Sequence, residues 1–409
     1  MSARPSLVVI GNGMAGMRTV EELLQLAPDL YDVTVLGAEP YGNYSRIMLS
    51  MLLSGEKSAD QIMLNTPQWY AEHGITLHAG DPVVAIDRRR RRVRSRKGVD
   101  VPYDRLLIAT GSQPFILPLP GSDLPGVIGF RSVDDVEQMV QAADNYPHAA
   151  VIGGGLLGIE AANGLLRRGM QVTLLHRTDV LMEQQLNADA SRLLWHNLKG
   201  RGLNVLLNAQ TSELYGRERV EGIVLADGSR IKADLVVMAV GVRPDVALAK
   251  SCGLHCERGI VVDDTLQTYD PHIYAVGECV QHRRLTFGLV APVWEQARVC
   301  ASHLARVGHR RYRFTRTATK LKVTGIDLYS AGDFMGGAGT EDLVLRDLRR
   351  GIYKRLVLKD NQVVGTVLYG DVHDGGWYFE LIENGTDISP IRERLLFGKH
   401  YCQQTGGAR

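Results

Sequence analysis

The sequence predicts a multi-domain α/β protein built on two related dinucleotide-binding folds, and three observations carry that prediction. A G-x-G-x-x-G turn, Gly11, Gly13 and Gly16, follows the apolar run Leu7-Val8-Val9-Ile10 and opens a helical pattern from Met17 to Leu26. A second apolar run, Val33 to Leu36, leads to an acid, Glu39. The strand, glycine turn and helix then return at Ala149-Ala150-Val151-Ile152 with Gly153, Gly155 and Gly158. One fingerprint is weak information, whereas two copies imply two dinucleotides held by two related domains.

Each part of the opening signature has a physical reason. Gly11 permits the tight turn, Gly13 lets a pyrophosphate approach the backbone with no Cβ in the way, and Gly16 lets the helix pack close to the strand. The helix start offers free N–H groups and the positive end of its dipole to phosphates. Glu39 stands where a ribose hydroxyl needs an acceptor. The segment Pro40 to Ser50 mixes turn formers, two tyrosines and Arg46, which suits a loop laid against a flat anionic ligand. Arg46 reads either as a partner for that ligand's phosphate or carbonyl, or as a surface cation.

Short strands follow at Ile75 to His78 and Val83 to Ile86. Arg88 to Arg92 with Arg94, Arg96 and Lys97 then put eight cations around a predicted hairpin, either a solvated turn or a docking patch for an acidic electron carrier. A buried strand ends in Ala109-Thr110-Gly111-Ser112, and the prolines from Pro114 to Pro125 read as a linker leaving the first domain. In the second copy the strand Gln171 to Leu175 ends in His176-Arg177 rather than an acid. Cations there suit the 2′-phosphate of NADP, while stacking on adenine, or Glu183 within reach, suits NAD, so NADH and NADPH both stay open. A hairpin is expected near Ala226-Asp227-Gly228, and Asp234 to Val240 runs into Gly241-Val242-Arg243-Pro244. Further strands are expected at Gly259 to Asp263 and Ile273 to Val276. The second of these ends in Gly277-Glu278, a carboxylate beside a close backbone approach, placed to accept hydrogen bonds from a flavin's sugar-alcohol chain.

Composition narrows the class. At 409 residues the chain exceeds one core, and 45% hydrophobic with 22% charged residues is ordinary for a globular protein. No apolar run reaches the roughly 18 residues needed to cross a bilayer, and the start lacks a signal peptide's features. A net charge of +2 with no nucleic-acid motif points to neither nucleic acid nor membrane as a partner. Five cysteines, an odd number, fit a reducing cytoplasm rather than a disulfide framework. Cys252 and Cys256 lack a second pair or histidines at ligand spacing, and no metal site is expected. Cys279 reads as a small buried side chain.

Taken together, the acid-tipped first fingerprint, Ala-Thr-Gly-Ser, the second fingerprint, Gly-Val-Arg-Pro and Tyr-Ala-Val-Gly-Glu resemble the FAD-dependent pyridine nucleotide reductases, including rubredoxin, ferredoxin and glutathione reductases. The resemblance spans roughly residues 5 to 315. Asn43 to Ser50, Val276 to Cys279, Gly288 to Pro292 and Lys320 to Gly325 are closer still to the flavoprotein portion of the NAD(P)H nitrite reductase large subunit. This resemblance implies two Rossmann-like domains, the NAD(P) domain inserted in the FAD domain, and a small C-terminal α+β domain. The implied boundaries are 1–117 and 245–313 for FAD, 118–244 for NAD(P) and 314–409 for the last domain.

It further implies that Gly11, Gly13, Met14, Ala15 and Gly16 hold the FAD pyrophosphate and Glu39 its ribose. Arg46, Val83, Thr110, Gly111, Gly277 and Glu278 are implied as further FAD contacts. Trp294 is implied on a helix approaching the flavin, with a core aromatic as the plain alternative. Gly153, Gly155, Leu156, Leu157 and Gly158, with His176 and Arg177, are implied for the nicotinamide cofactor. Glu160 is implied near its carboxamide, as the one side chain of the reacting centre, and Gly241 behind the nicotinamide. Residues 40–60 hold no cysteine, which excludes the dithiol relay of the family's disulfide branch. Nitrite reductase large subunits continue into iron–sulfur and sirohaem segments that these 409 residues do not include.

In the tail, Val344 to Leu348, Tyr353 to Leu358 and Val363 to Gly370 read as strands, the last two joined at Asp360-Asn361, and Pro390 to Leu396 as a final helix. The expected chemistry is hydride transfer from NADH or NADPH to FAD and single-electron transfer onward, with no catalytic acid or base. Three readings of the acceptor remain at this point. They are an iron–sulfur or other redox protein feeding a separate nitrite or nitrate reductase subunit in nitrate assimilation, a rubredoxin- or ferredoxin-type chain, and a redox-sensing flavoprotein that controls a partner.

Overall fold

The first apolar run forms the strand Ser6–Ile10 in the middle of a five-stranded parallel sheet. Its neighbours are Asp32–Leu36 and then Thr76–His78 on one side, Arg105–Ile108 and then Ile273–Ala275 on the other. Leu7, Val8 and Val9 are almost wholly buried, as a strand covered on both faces demands. The computed structural model describes residues 4–314, 318–323 and 325–403.

Two compact units divide the chain. One holds Met1–Phe115, Arg131–Val133 and Gly241–Thr315, the other Ile116–Phe130, Asp134–Val240 and Arg316–Arg409. The core of the first joins Leu7, Val35 and Leu106 to Ile260, Ile273 and Val299, so the second dinucleotide fold is an insertion within it. Inside the first unit the two crossing segments, Ser112–Pro114 and Val242–Pro244, pair antiparallel. The helix Met14–Leu26 packs on Val290–Leu304, and an antiparallel meander, Val83–Asp87, Arg92–Ser95 and Asp100–Pro102, forms a separate small sheet.

The second unit repeats the plan. Its parallel sheet runs Val127–Ile128, Leu235–Met238, His148–Ile152, Gln171–Leu175, Asn204–Leu206. The same unit contains a C-terminal antiparallel sheet, in the order Thr319–Val323, Ile326–Gly332, Gln362–Tyr369, Ile352–Lys359, Glu341–Asp347. This sheet is tied to the helix Ala188–Gly200 region by Asn187, which donates to the Tyr353 hydroxyl at 2.8 Å. Asp360 and Asn361 both take positive φ, +50° and +56°, the turn that two-residue hairpins favour.

Three local expectations change. The first helix begins at Met14, three residues before Met17, because the glycine turn feeds directly into it. The segment after Glu39 is no plain loop: Asn43–Tyr44 pairs with Met63–Asn65, and Arg46–Met48 and Leu49–Leu53 are helical. The expected helix at 390–396 is a 3-10 turn, Arg392–Phe397, followed by Lys399–Gln403. A ten-residue helix, Gly375–Asn384, is one the sequence reading did not single out.

Candidate functional site

Each parallel sheet carries its glycine turn at the C-terminal end of its central strand, the place where open α/β sheets bind ligands. At the first turn Gly11 has φ +109°, donates its N–H to Leu36 O at 2.8 Å, and a Cβ on it would run into the Ala109 carbonyl. A Cβ on Gly16 would meet Gly11 O at 2.6 Å. Gly13 is different: nothing lies within 4 Å of the position its Cβ would take. The helix then starts at Met14-Ala15-Gly16 with no side-chain cap, which leaves backbone donors facing that space. A cradle crowded behind and open in front, lined by uncapped N–H groups, fits a dinucleotide diphosphate.

Around this turn the sequence-singled residues form two charge clusters. Glu39 accepts from the Tyr44 hydroxyl at 2.5 Å and from Arg46. Arg46 also donates to the Tyr44 oxygen at 2.9 Å and to the Arg131 carbonyl at 2.8 Å. Burial pushes the Tyr44 phenol well up, opposed by the Arg46 cation and reinforced by Glu39. Glu278 accepts from Ser112 Oγ at 2.8 Å and from Arg131. Sequence reasoning missed Tyr44, Ser112 and Arg131 as partners. The only local signal was the serine that closes Ala-Thr-Gly-Ser.

Thr110 Oγ1 donates to Asp245 O at 2.7 Å, and Gly111 takes φ +72°. Gly277, φ +91°, passes so close to the first helix that a Cβ would meet the Ala15 Cβ at 2.8 Å. Val83 opens the meander strand Val83–Asp87. Trp294 is 37% exposed on the helix Val290–Leu304, with the Arg18 guanidinium 5.5 Å from its ring centre.

At the second turn Gly153 has φ +120° and donates to Leu175 O at 2.8 Å, and a Cβ would run into the Ala239 carbonyl. A Cβ on Gly158 would strike Gly153 O, while Gly155 again has nothing within 4 Å. The helix Leu156–Arg167 starts uncapped at Leu156-Leu157, and Glu160 lies half-buried along it. Gly241, φ +116°, follows the strand Leu235–Met238 with open space at its Cβ position.

The end of the strand Gln171–Leu175 is where the two sites diverge. His176 is buried, and its Nδ1 accepts the Gly154 N–H at 3.0 Å. Its Nε2 lies 2.9 Å from both Val180 O and Thr178 Oγ1, and Thr178 in turn donates to Glu183 at 2.6 Å. Both ring nitrogens are thus taken up by the protein. Arg177 is mostly exposed, 3.9 Å from Glu183.

All five cysteines are free. Burial pushes the Cys279 thiol up to about 11 and Cys300 higher still, which makes both poor thiolates. Among the described residues no group of three or more His, Cys, Asp or Glu is placed to hold a metal ion.

Fold and turns together define a protein with two dinucleotide sites on two Rossmann-like sheets and a C-terminal antiparallel domain. The chain belongs to the pyridine nucleotide-disulphide oxidoreductase family, whose model matches residues 5–303, and residues 318–386 match the rubredoxin NAD+ reductase C-terminal domain. It is 47% identical to a nitrite reductase [NAD(P)H] of Bacillus subtilis, over 94% of this chain and 48% of that one. It is 42% identical to the assimilatory nitrate reductase electron transfer subunit of the same organism, over 95% of this chain and 51% of that one. Among solved structures it resembles NADH:rubredoxin oxidoreductase from Clostridium acetobutylicum, with TM-score 0.80 and 25% identity over 97% of this chain and all of that one. The chain spans about half the length of these two curated relatives.

Proposed function

We propose that the chain is an FAD-dependent NAD(P)H oxidoreductase that hands electrons to a redox partner. The observation that carries this reading is the pair of glycine turns, each crowded at its first and third glycine, open at the second and followed by an uncapped helix, in a chain of an oxidoreductase family. Gly11, Gly13, Met14, Ala15 and Gly16 then hold the FAD diphosphate and Glu39 accepts from its ribose. Arg46, Thr110, Gly111, Gly277 and Glu278 line the rest of the cofactor, with Val83 and Trp294 as outer contacts. Gly153, Gly155, Leu156, Leu157 and Gly158 hold the nicotinamide dinucleotide, with Glu160 near its carboxamide and Gly241 behind the ring.

FAD held there would supply the redox chemistry the side chains lack, an acceptor for the electron pair of reduced nicotinamide that can also give up electrons singly. The protein's share is placement and charge. Two helix N-termini offset the diphosphate charges, the two carboxylates accept from cofactor hydroxyls, and the Arg46 and Arg131 guanidiniums keep those carboxylates aimed. In this reading no side chain has to move a proton.

The proposed acceptor is an iron–sulfur or other redox protein, or a separate nitrite or nitrate reductase component, supported by the names of the two Bacillus relatives. The C-terminal domain match and the rubredoxin oxidoreductase likeness favour a second reading, a rubredoxin- or ferredoxin-type carrier. Five free thiols, and no helix among the described residues long and apolar enough to cross a membrane, support a cytoplasmic setting. The test is anaerobic stopped-flow mixing of the purified protein with NADH or NADPH. Rapid bleaching near about 450 nm, where oxidised flavin absorbs, is expected. Turnover is then compared with rubredoxin and with a nitrite reductase component as acceptor. Absence of flavin, or flavin that neither nucleotide reduces, would end the reductase reading.

A further inference from the structure

Neither dinucleotide turn accounts for the cations between Arg88 and Lys97. Eight stand in this stretch with no carboxylate among them, in a chain whose net charge is only +2, so the rest of the chain is net negative and positive charge is concentrated here. The strand Arg92–Ser95 buries Val93 and Ser95 and turns Arg92 and Arg94 outward, with exposed Arg96 continuing the alternation. Guanidiniums therefore repeat along one face at about 6.6 Å, twice the rise per strand residue.

Beside the turn lies a cleft of about 770 Å³ lined by Arg88, Arg89, Arg90, Arg92 and Arg94 together with Asp87, Asp100 and Asp270. Two of these acids are already engaged. Asp270 pairs with Arg88 Nε at 2.9 Å, and Asp100 with Arg92 Nε at 2.9 Å. Arg88 is held further by the Tyr269 hydroxyl at 2.6 Å and the Cys252 and Gly253 carbonyls, so it braces the cleft wall. Asp87 accepts the Arg90 backbone N–H at 2.9 Å. Among the described residues, the guanidiniums of Arg89, Arg90 and Arg94 have no carboxylate partner. The nearest ring is that of exposed Tyr269, which already packs against the Arg88 guanidinium, 4.8 Å from its ring centre.

Its place in the first unit separates it from the dinucleotide turn. The Arg91 carbonyl accepts from Tyr103 N–H at 2.9 Å, and Asp104 N–H donates to Ser6 O at 3.0 Å. The hairpin tip thus lies at the N-terminal ends of Ser6–Ile10 and Arg105–Ile108, whereas Gly11 and Thr110 follow their C-terminal ends. Strands of this length put roughly 15 Å between the two.

We propose that this cleft binds an acidic polypeptide segment of a partner protein, with Arg89, Arg90 and Arg94 as its carboxylate ligands. An extended segment presents alternate side chains about 6.6 Å apart, the spacing of Arg94 and Arg96 along the strand face, and is long enough to reach Arg89 and Arg90 at the turn as well; a lone phosphate would engage only part of this group. The inference stands independently of the reductase reading, since it uses neither turn.

The probe is a fluorescein-labelled decaglutamate peptide, titrated against the full-length protein and followed by anisotropy in about 150 mM NaCl. Saturable, salt-sensitive binding is expected. The triple variant Arg89→Glu/Arg90→Glu/Arg94→Glu should lose at least about tenfold in affinity, and Arg349→Glu, exposed in the C-terminal domain, should lose none. Thermal melting and flavin content matching wild type show that the triple variant is folded. If it is not, Arg89→Gln and Arg94→Gln are read singly, each expected to lose about two- to threefold. No saturable binding by wild type, or undiminished affinity in the charge-reversed variants, would overturn the proposal. So would tighter binding of tripolyphosphate or a DNA duplex than of the peptide, which would make the cleft a phosphate or nucleic-acid site.

Discussion

Gly11 and Gly153 take nearly the same backbone conformation and send their N–H groups the same distance to the end of the neighbouring strand, at Leu36 and Leu175. Both are blocked from behind by the carbonyl of an alanine, Ala109 or Ala239, and both lead through an open glycine to an uncapped helix. Past that point the resemblance stops. The first neighbouring strand leads to a carboxylate, Glu39, flanked by a phenol and a guanidinium. The second leads to a buried histidine that folds back to take the Gly154 N–H. The backbone part of each turn is thus set by where a Cβ is impossible, while the strand end is free to differ, and in the proposed reading that is where the two cofactors are told apart.

The strongest way to break the comparison is to fill the crowded glycines. Gly11→Val and Gly153→Val each place a β-branched residue at strongly positive φ and against a backbone carbonyl, so each should cost at least about 3 kcal/mol and show as a lowered melting temperature or insoluble protein. A wild-type melt for either would show that its turn is not built as described. The open glycines should behave oppositely. Gly13→Val and Gly155→Val should stay within about 0.5 kcal/mol of wild type by melting. Gly13→Val should nevertheless purify without flavin, and Gly155→Val should keep flavin while its reduction by NADH slows about tenfold or more. If both variants lost the same ligand, the division of labour between the turns would be wrong.

A step down in size, Glu39→Ala removes a carboxylate with two donors and leaves Arg46 without its acid. FAD affinity should fall by about 10- to 100-fold, the equivalent of roughly 1.5–3 kcal/mol for a charged hydrogen-bonding group, measured by flavin retention on dilution. Glu183→Ala, its nearest counterpart beside the second strand, should leave flavin retention unchanged.

These contrasts also mark what the sequence makes legible. Gly11, Gly153 and the Asp360-Asn361 turn announce themselves because their backbone conformations admit few residue types. Gly375 gives no such signal. It serves contact rather than turning, since a Cβ there would meet the Tyr329 ring at 2.8 Å, and the helix Gly375–Asn384 hides behind it. The pairing of Glu278 with its partners cannot be read locally either: Ser112 is 166 residues away and Arg131 147, the latter in the three-residue segment Arg131–Val133 that returns to the first unit. Glu39 is readable because it ends a strand; what holds it depends on how the chain folds back through Tyr44 and Arg46.

The smallest expected effect tests the strand end that the sequence reads least well. His176-Arg177 looks like a pair of cations for a 2′-phosphate, yet the Gly154 N–H requires His176 Nδ1 to be an acceptor, and Nε2 faces the Val180 carbonyl. A ring used this way braces the turn and has no nitrogen left for a phosphate. His176→Ala should therefore cost about 1–2 kcal/mol of stability, because a buried N–H loses its partner, and raise the KM for NADH and NADPH by the same factor. Arg177→Ala, exposed and within 3.9 Å only of Glu183, should leave stability and NADH untouched and weaken NADPH alone, by about tenfold at most. The informative quantity is the ratio of kcat/KM for the two nucleotides. If that ratio moves in His176→Ala but not in Arg177→Ala, the histidine rather than the arginine reads the phosphate, and the turn must open in the bound state to let it.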